Sequence, residues 1–192
     1  TYTQQTHTTN VKRVYARERG QSFPETDGMI TDVPGICLVT SYADCVPLYF
    51  VDPVKKVIGL SHSGWRGTVG KIGKVTVEKM EEEFGCDPAD ILGAVGPSIC
   101  QDCYEVSEDV IKKFRENYDE NLWPEIFYQK ENGKYQLNLW KANESVFLES
   151  GILPEHIAVT NVCTHCNPDI LFSHRTTGNE RGTLSAFLAL KK

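Results

Sequence analysis

Short apolar runs rich in β-branched residues crowd the first third of the chain, and they constrain its fold more than any other feature. Gly, Pro and Asp separate these runs, and such residues end strands and form turns. The runs predict strands over 11–16, 36–40, 46–51 and 57–61. Later runs of the same kind predict three further strands, over 157–162, 170–172 and 184–190.

Apolar residues at helical spacing predict three helices after these first strands. One helix spans Thr68 to Phe84, where apolar side chains recur at three- and four-residue steps. Ser107 and Asn138 are typical N-cap residues for the second and third helices. The order of elements along the chain, with strands first and mixed helices and strands after them, favours an α+β class over a regular βαβ array. We therefore predict a single domain over residues 1–192, with a mixed β-sheet flanked by helices.

Composition and charge exclude several classes of protein. No apolar run approaches the roughly 20 residues that cross a bilayer. The net charge of −6 argues against a nucleic-acid surface, because such a surface requires many Lys and Arg side chains. Seven cysteines that lie in apolar runs as well as in loops are more typical of a reduced compartment than of a disulfide framework. We expect a cytoplasmic protein whose partners include neither nucleic acid nor membrane.

Three candidate metal ligands lie at the ends of the predicted strands. Cys45 stands between two strands, His62 directly follows the second of them, and His7 precedes the first strand of the chain. Two imidazoles and a thiolate suit Zn²⁺, and three protein ligands leave open the position that a catalytic zinc keeps. The spacing is not a standard short zinc motif, so the residues alone also allow a polar turn with a buried cysteine.

The same residues support two other interpretations. A thiol beside an imidazole is the minimal unit of a metal-free cysteine hydrolase acting on amide or peptidoglycan-related substrates, with Asp44 or a nearby amide orienting His62. His7 has no role in that arrangement, which disfavours it. A zinc-stabilised binding module without catalytic activity is the third alternative.

Two Cys-x-x-Cys pairs, Cys100/Cys103 and Cys163/Cys166, are a second candidate cluster. Such pairs are typical of a zinc ribbon when about 15–20 residues separate them. Here 59 residues lie between the pairs. We therefore interpret these cysteines as inert or exposed thiols in preference to a structural Cys₄ site.

Arginines in two segments are candidates for binding an anion. The segment Gly64-Trp65-Arg66-Gly67 leads into the predicted Thr68 helix, whose first N–H groups could hold phosphate together with Arg66. Arg175 and Arg181 lie in a later loop and could grip phosphate or stack on a base. A tight turn and a solvated loop are the simpler interpretations of the two segments.

Taken together, the motifs resemble those of the laccase-domain, or YfiH/YlmD-like, family in order and spacing. They are Gln5-x-His7-x-x-x-Val11, Ala43-Asp44-Cys45-x-Pro47, His62-Ser63-Gly64-Trp65-Arg66-Gly67, Gly96-Pro97-Ser98-Ile99, Tyr104-Glu105-Val106 and Cys163-Thr164. The later Phe172-Ser173-His174-Arg175 and Arg181-Gly182 are similar to the family's closing motif. The resemblance thus covers nearly the whole chain.

The resemblance implies a CNF1/YfiH-like fold and one zinc ion held by the family's two histidines and cysteine. By motif, these ligands are His7, Cys45 and His62. It further implies purine nucleoside phosphorylase activity, a glycosyl transfer, on adenosine, inosine, guanosine and methylthioadenosine, with adenosine deaminase activity beside it. In that framework we expect Arg66, Arg175 or Arg181 to bind phosphate, and Asp44 either to carry a proton or to cap the turn before the cysteine.

The chain departs from the family pattern at both ends. Members carry several dozen residues, including an Arg-x-Gly-Gly segment, before the Gln-x-His motif, so we expect an N-terminal segment to be missing. Thr176 stands where a second arginine usually follows Arg175. The family's older name implies a copper polyphenol oxidase, but its copper centres need many imidazoles and this chain has five histidines. Polyphenol oxidation is therefore disfavoured.

Overall fold

The computed structural model of the chain describes residues 1–191. The strands are β1 Tyr2–Thr3, β2 Val11–Arg13, β3 Ser22–Phe23, β4 Gly28–Thr31, β5 Cys37–Tyr42, β6 Val46–Asp52, β7 Val57–Ser63, β8 Leu92–Val95, β9 Glu105–Val106, β10 Phe127–Gln129, β11 Tyr135–Leu137, β12 Ile157–Val159 and β13 Leu184–Ala189. The α-helices are α1 Trp65–Val69, α2 Ile72–Phe84, α3 Glu108–Asn117, α4 Trp123–Ile126, α5 Leu139–Glu149 and α6 His174–Thr177. Among residues 1–191, no helix is long and apolar enough to cross a membrane.

The central element is a six-stranded sheet with the order β12-β8-β6-β7-β4-β2. Its four inner strands pair antiparallel, whereas β12 and β2 are parallel to their neighbours at the two edges. A four-stranded sheet, β13-β5-β1-β3, and a small three-stranded sheet, β10-β11-β9, complete the domain. The predicted α+β class is confirmed, although the strands form three sheets and not one.

The central sheet is covered on both faces, so its inner strands are largely buried. Every residue of β7 is buried. Within β4, Ile30 packs into the core beneath the helices, and the preceding Met29 packs into the second core with residues of β5 and β13. This follows from the alternation of side chains along a strand. The layer of helices, the central sheet and the four-stranded sheet thus enclose two cores.

The predicted helix from Thr68 to Phe84 is wrong at its start. The helical segment begins at Trp65, and Lys71 breaks it in a left-handed conformation with a φ of 55°. The predictions at Ser107 and Asn138 are confirmed, since α3 and α5 begin directly after these residues. The side chain of Asn138 accepts a hydrogen bond from the Lys141 N–H at 3.0 Å.

One predicted strand is absent and others are shorter than expected. Residues 170–172 form a turn, in which the N–H groups of Ile170 and Leu171 both donate to the carbonyl of Asn167. Ile170 is 77% exposed, so its apolar side chain does not belong to the buried face of a sheet. The strands predicted over 11–16 and 157–162 end at residues 13 and 159. The remaining four predicted strands are present within two residues at each end.

The packing of α5 on the central sheet gives a direct test of the fold. Phe147 is fully buried and lies edge-to-face against Phe50, with 5.2 Å between the ring centroids. We expect Phe147→Ala to lower the free energy of unfolding by about 3–5 kcal/mol, because it leaves a cavity in the core. Leu148→Ala, at a 42% exposed neighbour, should cost less than about 1 kcal/mol. Equal losses in urea denaturation would contradict this packing.

Candidate active site

Asp27, which precedes β4, organises the candidate site from a fully buried position. Its carboxylate accepts hydrogen bonds from the backbone N–H groups of Thr6, His7 and Thr8 at 3.1, 3.0 and 2.9 Å. The Thr8 hydroxyl donates to it at 2.8 Å. These bonds hold a tight turn in which His7 has a φ of 61°. A buried carboxylate thereby fixes the backbone from which the first imidazole extends.

The same carboxylate orients the second imidazole. His62 Nδ1 lies 2.9 Å from Asp27 Oδ1, and the His62 N–H donates to the Asp27 carbonyl at 2.7 Å. A carboxylate only accepts, so Nδ1 must carry the proton. The opposite ring nitrogen, Nε2, is then the atom available to a metal, as in carboxylate–histidine–zinc arrangements. Asp44, the partner expected for His62, does not fill this role.

Cys45 completes a group of three metal-binding side chains. One ligand atom each from His7, Cys45 and His62 lies within 4.8 Å of the others. Cys45 Sγ is 3.9 Å from His7 Nε2. A Cβ atom on Gly64 would come within 2.8 Å of His7 Cδ2 and 3.0 Å of Cys45 Sγ, so a larger residue would displace the ligands. The glycine of the Ser-Gly-Trp motif is explained by this close approach.

The electrostatics of the group favour an ionised thiol. Burial opposes ionisation of Cys45, but hydrogen bonds with His62 and His7 lower its pKa to about 6. Burial likewise opposes protonation of His62, yet Asp27 and Cys45 raise its pKa to about 9. A thiolate and imidazoles are good zinc ligands, so the donor set fits the ion. Binding would displace the proton from His62, and affinity should fall as the pH falls.

A cavity of about 320 Å³ lies beside this group. Its lining includes two of the three ligands and all four of the catalytic or substrate-binding residues predicted from sequence: His7, Cys45, Asp44, Arg66, Arg175 and Arg181. His62 lies behind the first two ligands and lines a neighbouring cavity of about 300 Å³ together with His7, Cys45 and Arg181. The structure thus brings the predicted residues together, although their roles stay predictions.

Asp44 occupies a strained turn between β5 and β6, with a φ of 84°. One carboxylate oxygen accepts from the Thr164 hydroxyl at 2.6 Å, and the other accepts from the Arg175 N–H at 2.7 Å. The Arg175 guanidinium donates to the Glu105 carbonyl at 2.9 Å and lies over the Tyr104 ring. Asp44 therefore links its own segment and that of Arg175, which both line the cavity, to Thr164.

The anion site expected at the Thr68 N–H is misplaced. That N–H donates to the Gly64 carbonyl at 2.8 Å, because the helix begins three residues earlier. The free N–H groups of α1 are consequently those of residues 65–67. Arg66 stays at this helix start, with its guanidinium 4.3 Å from the Trp65 ring centroid.

Sequence reasoning missed four residues that shape the site. Asp27 carries no motif of its own, and only the pairing of β7 with β4, the strand that directly follows Asp27, makes it the partner of His62. Trp65, Tyr104 and His174 line the cavity, and they stand inside the motifs but were given no role. Their position next to the arginines in sequence was the signal that could have found them.

The two Cys-x-x-Cys pairs, interpreted as separate thiols, converge in the structure. The four Sγ atoms of Cys100, Cys103, Cys163 and Cys166 lie within 4.8 Å of one another. The long intervening segment folds back because a bridge pairs Ser98 with Cys163. Among residues 1–191, this cluster and the His7/Cys45/His62 group are the two groups of metal-binding side chains that contain cysteine or histidine.

Comparisons with known proteins show the family and the fold of the chain. The family described as multi-copper polyphenol oxidoreductase laccase matches residues 1–191. Purine nucleoside phosphorylase YlmD from Bacillus subtilis is 35% identical over all of this chain and 70% of its own length. Adenosine deaminase RL5, from an unknown prokaryotic organism, is 35% identical over 93% of this chain and 70% of its own. The crystal structure of the hypothetical protein YfiH from Bacillus licheniformis superposes with a TM-score of 0.95 at 34% identity, over 99% of this chain and 73% of that one.

The role of Asp27 can be tested through metal affinity. We expect Asp27→Asn to weaken zinc binding at His7, Cys45 and His62 by about 10–100-fold, because the variant loses the charge that orients and polarises His62. Asp32→Asn is the matched control, since its side chain is 42% exposed and forms a salt bridge with Arg13 at 3.7 Å. Chelator competition measures both affinities. Equal affinities for the two variants would show that Asp27 does not support the ligands.

Proposed function

The chain belongs to the multi-copper polyphenol oxidoreductase laccase family, and from this premise we propose that it is a zinc-dependent purine nucleoside phosphorylase that also deaminates adenosine. The proposed nucleosides are adenosine, inosine, guanosine and methylthioadenosine, with phosphate as the second substrate. One observation carries the proposal: the His7/Cys45/His62 group borders a cavity that three arginines also line. The cytoplasm is the proposed location, since thiols stay reduced there.

His7, Cys45 and His62 are the proposed zinc ligands. When bound there, zinc would supply Lewis acidity to an oxygen of the substrate or of the attacking group. The chain's own contribution is the rigid placement of the ligands, which Asp27 secures for both imidazoles. Copper oxidation is not proposed, because the group offers two imidazoles and a multicopper centre needs more.

The three arginines are proposed to bind phosphate. Arg66, Arg175 and Arg181 all line the cavity, and a guanidinium group forms paired hydrogen bonds with phosphate oxygens. The Nε atom of Arg181 is buried without a hydrogen-bond partner among the described residues. A buried donor of this kind is expected to find an acceptor. A phosphate oxygen would supply it.

Aromatic and apolar side chains are proposed to receive the purine. Trp65 and Tyr104 line the cavity, each with an arginine guanidinium over its ring, and Ile99 and Leu139 add apolar surface. A purine ring is flat and stacks on aromatic faces and on guanidinium planes. The cavity therefore combines a surface suited to a base with charge suited to phosphate.

The two reactions place different demands on the same residues. In phosphorolysis a phosphate oxygen forms a bond to the anomeric ribose carbon, and the bond to the purine nitrogen breaks with its electron pair. The departing purine then takes up a proton. In deamination, water adds to the amino-bearing purine carbon and ammonia leaves. Asp44 is the proposed proton carrier in both, and its hydrogen bonds to Thr164 and Arg175 fix its place on the cavity wall.

A metal-free hydrolase is the second candidate, and one observation favours it. Asp27, His62 and Cys45 form a chain of carboxylate, imidazole and thiol that could serve nucleophilic catalysis on an amide. His7 stands against it, because a second imidazole 3.9 Å from the sulfur has no task in such a chain. Loss of activity after removal of the metal separates the two candidates.

The products formed from adenosine test the proposed reactions. With phosphate present we expect adenine, hypoxanthine and ribose 1-phosphate beside the inosine formed by deamination, and without phosphate we expect inosine alone. Removal of the metal with a chelator should abolish both reactions, and zinc should restore them. Chromatography of the products measures each outcome. Adenine formation at full rate without phosphate, or activity that survives removal of the metal, would overturn the proposal.

Arg66 offers a test of the phosphate site. We expect Arg66→Ala to raise the KM for phosphate by about 10-fold or more while the KM for the nucleoside changes less, because a hydrogen bond to a charged group contributes about 1.5–3 kcal/mol. Arg17→Ala is the control, since its guanidinium also stacks on an aromatic ring, that of Tyr15, outside the cavity. An unchanged KM for phosphate in Arg66→Ala would contradict this placement.

A further inference from the structure

Two tight turns bring four cysteine sulfurs together away from the His7/Cys45/His62 group. Cys100 and Cys103 flank one turn, and Cys163 and Cys166 flank the other. All four Sγ atoms lie within 4.8 Å of one another, and the shortest separation that the structure gives, between Cys103 and Cys166, is 3.4 Å. Four sulfurs in tetrahedral contact with one zinc ion at 2.3 Å stand about 3.8 Å apart. Sulfurs that all lie within 4.8 Å of one another are compatible with that spacing.

The backbone around this cluster is arranged to stabilise a thiolate. Cys163 Sγ accepts two hydrogen bonds from backbone N–H groups, from Cys100 at 3.3 Å and from Cys166 at 3.4 Å. One donor comes from each Cys-x-x-Cys pair, so both turns face the same sulfur. Donors aimed at a sulfur atom favour its ionised form, which is the form that binds metal.

We propose that Cys100, Cys103, Cys163 and Cys166 hold a second, structural zinc ion. A disulfide would use two of the four sulfurs and would explain neither the other two nor the shared N–H donors. A multi-iron cluster would need sulfurs that stand further apart than these. A zinc ion with four thiolate ligands has no open position for a substrate, which is typical of structural zinc. Cys166 is exposed, so the ion has a path into the site.

The proposed ion joins a segment that lines the active-site cavity to a segment that holds a lining residue, Asp44, in place. Directly after Cys103, Tyr104 lines the cavity and Glu105 accepts the hydrogen bond from Arg175. Directly after Cys163, Thr164 donates to Asp44. The two segments otherwise meet through the bridge between Ser98 and Cys163. A metal crosslink at this point would hold the wall in place without contact with substrate.

The experiment uses the full chain, purified under reducing conditions, with the other metal site disabled. We expect Cys45→Ala to retain one zinc per chain, and Cys45→Ala/Cys103→Ser/Cys166→Ser to retain none. Cys45→Ala/Cys37→Ser is the matched control, since Cys37 is an exposed thiol outside both groups, and it should keep its zinc. Elemental analysis gives the counts, and the melting temperature should drop by several degrees only in the variant that loses this ion.

A spectroscopic measurement on Cys45→Ala keeps the test decisive if the triple variant fails to fold. Co²⁺ in place of zinc should give the intense sulfur-to-cobalt absorption of a tetrathiolate site, because no other thiol of that variant belongs to a metal-binding group in residues 1–191. A zinc-free Cys45→Ala protein without this absorption would overturn the proposal. A mass lower by two hydrogens, indicating a disulfide between the pairs, would overturn it as well. Neither outcome bears on the proposed reaction at His7, Cys45 and His62.

Discussion

The buried carboxylate of Asp27 is the constraint on which the candidate site depends. An isolated charge in a protein interior is strongly unfavourable, so its position is tolerated only with a full set of partners. Here the partners are the N–H groups of one turn, a threonine hydroxyl and one imidazole. One residue thus holds both the backbone that carries the first imidazole and the ring of the second. The buried charge thereby places both histidines for the proposed metal site.

A second set of contacts holds the cavity wall against this metal-binding group. Asp44 stands next to Cys45 in sequence and links it to segments more than a hundred residues away, through Thr164 and Arg175. The backbone of Arg175 is therefore attached to the same turn that presents the Cys45 thiol. The proposed metal ligand Cys45 and one of the proposed phosphate-binding arginines thus belong to one connected unit. The proposed zinc ion at the four cysteines would hold Thr164, the hydrogen-bond partner of Asp44, in place.

The features of the fold and of the site that could be predicted from sequence are those that neighbouring residues along the chain determine. The strands around Cys45 and His62 follow from runs of β-branched residues, so both side chains were expected at strand ends, and they lie there. The partnership of Asp27 with His62 depends on the pairing of β4 with β7, which no local pattern specifies. Lys71 breaks the main helix in a left-handed conformation that is rare for lysine and has no sequence signal. The two Cys-x-x-Cys pairs meet through tertiary structure, so their separation along the chain was a poor guide.

The central claim is that Asp27 holds His7, Cys45 and His62 as one zinc site that both proposed reactions require. Anomalous diffraction at the zinc absorption edge, from crystals of active protein, tests it most directly. We expect a peak within about 2.0–2.3 Å of Cys45 Sγ, His62 Nε2 and a ring nitrogen of His7. An active preparation whose crystals show no anomalous peak among these three side chains would contradict it.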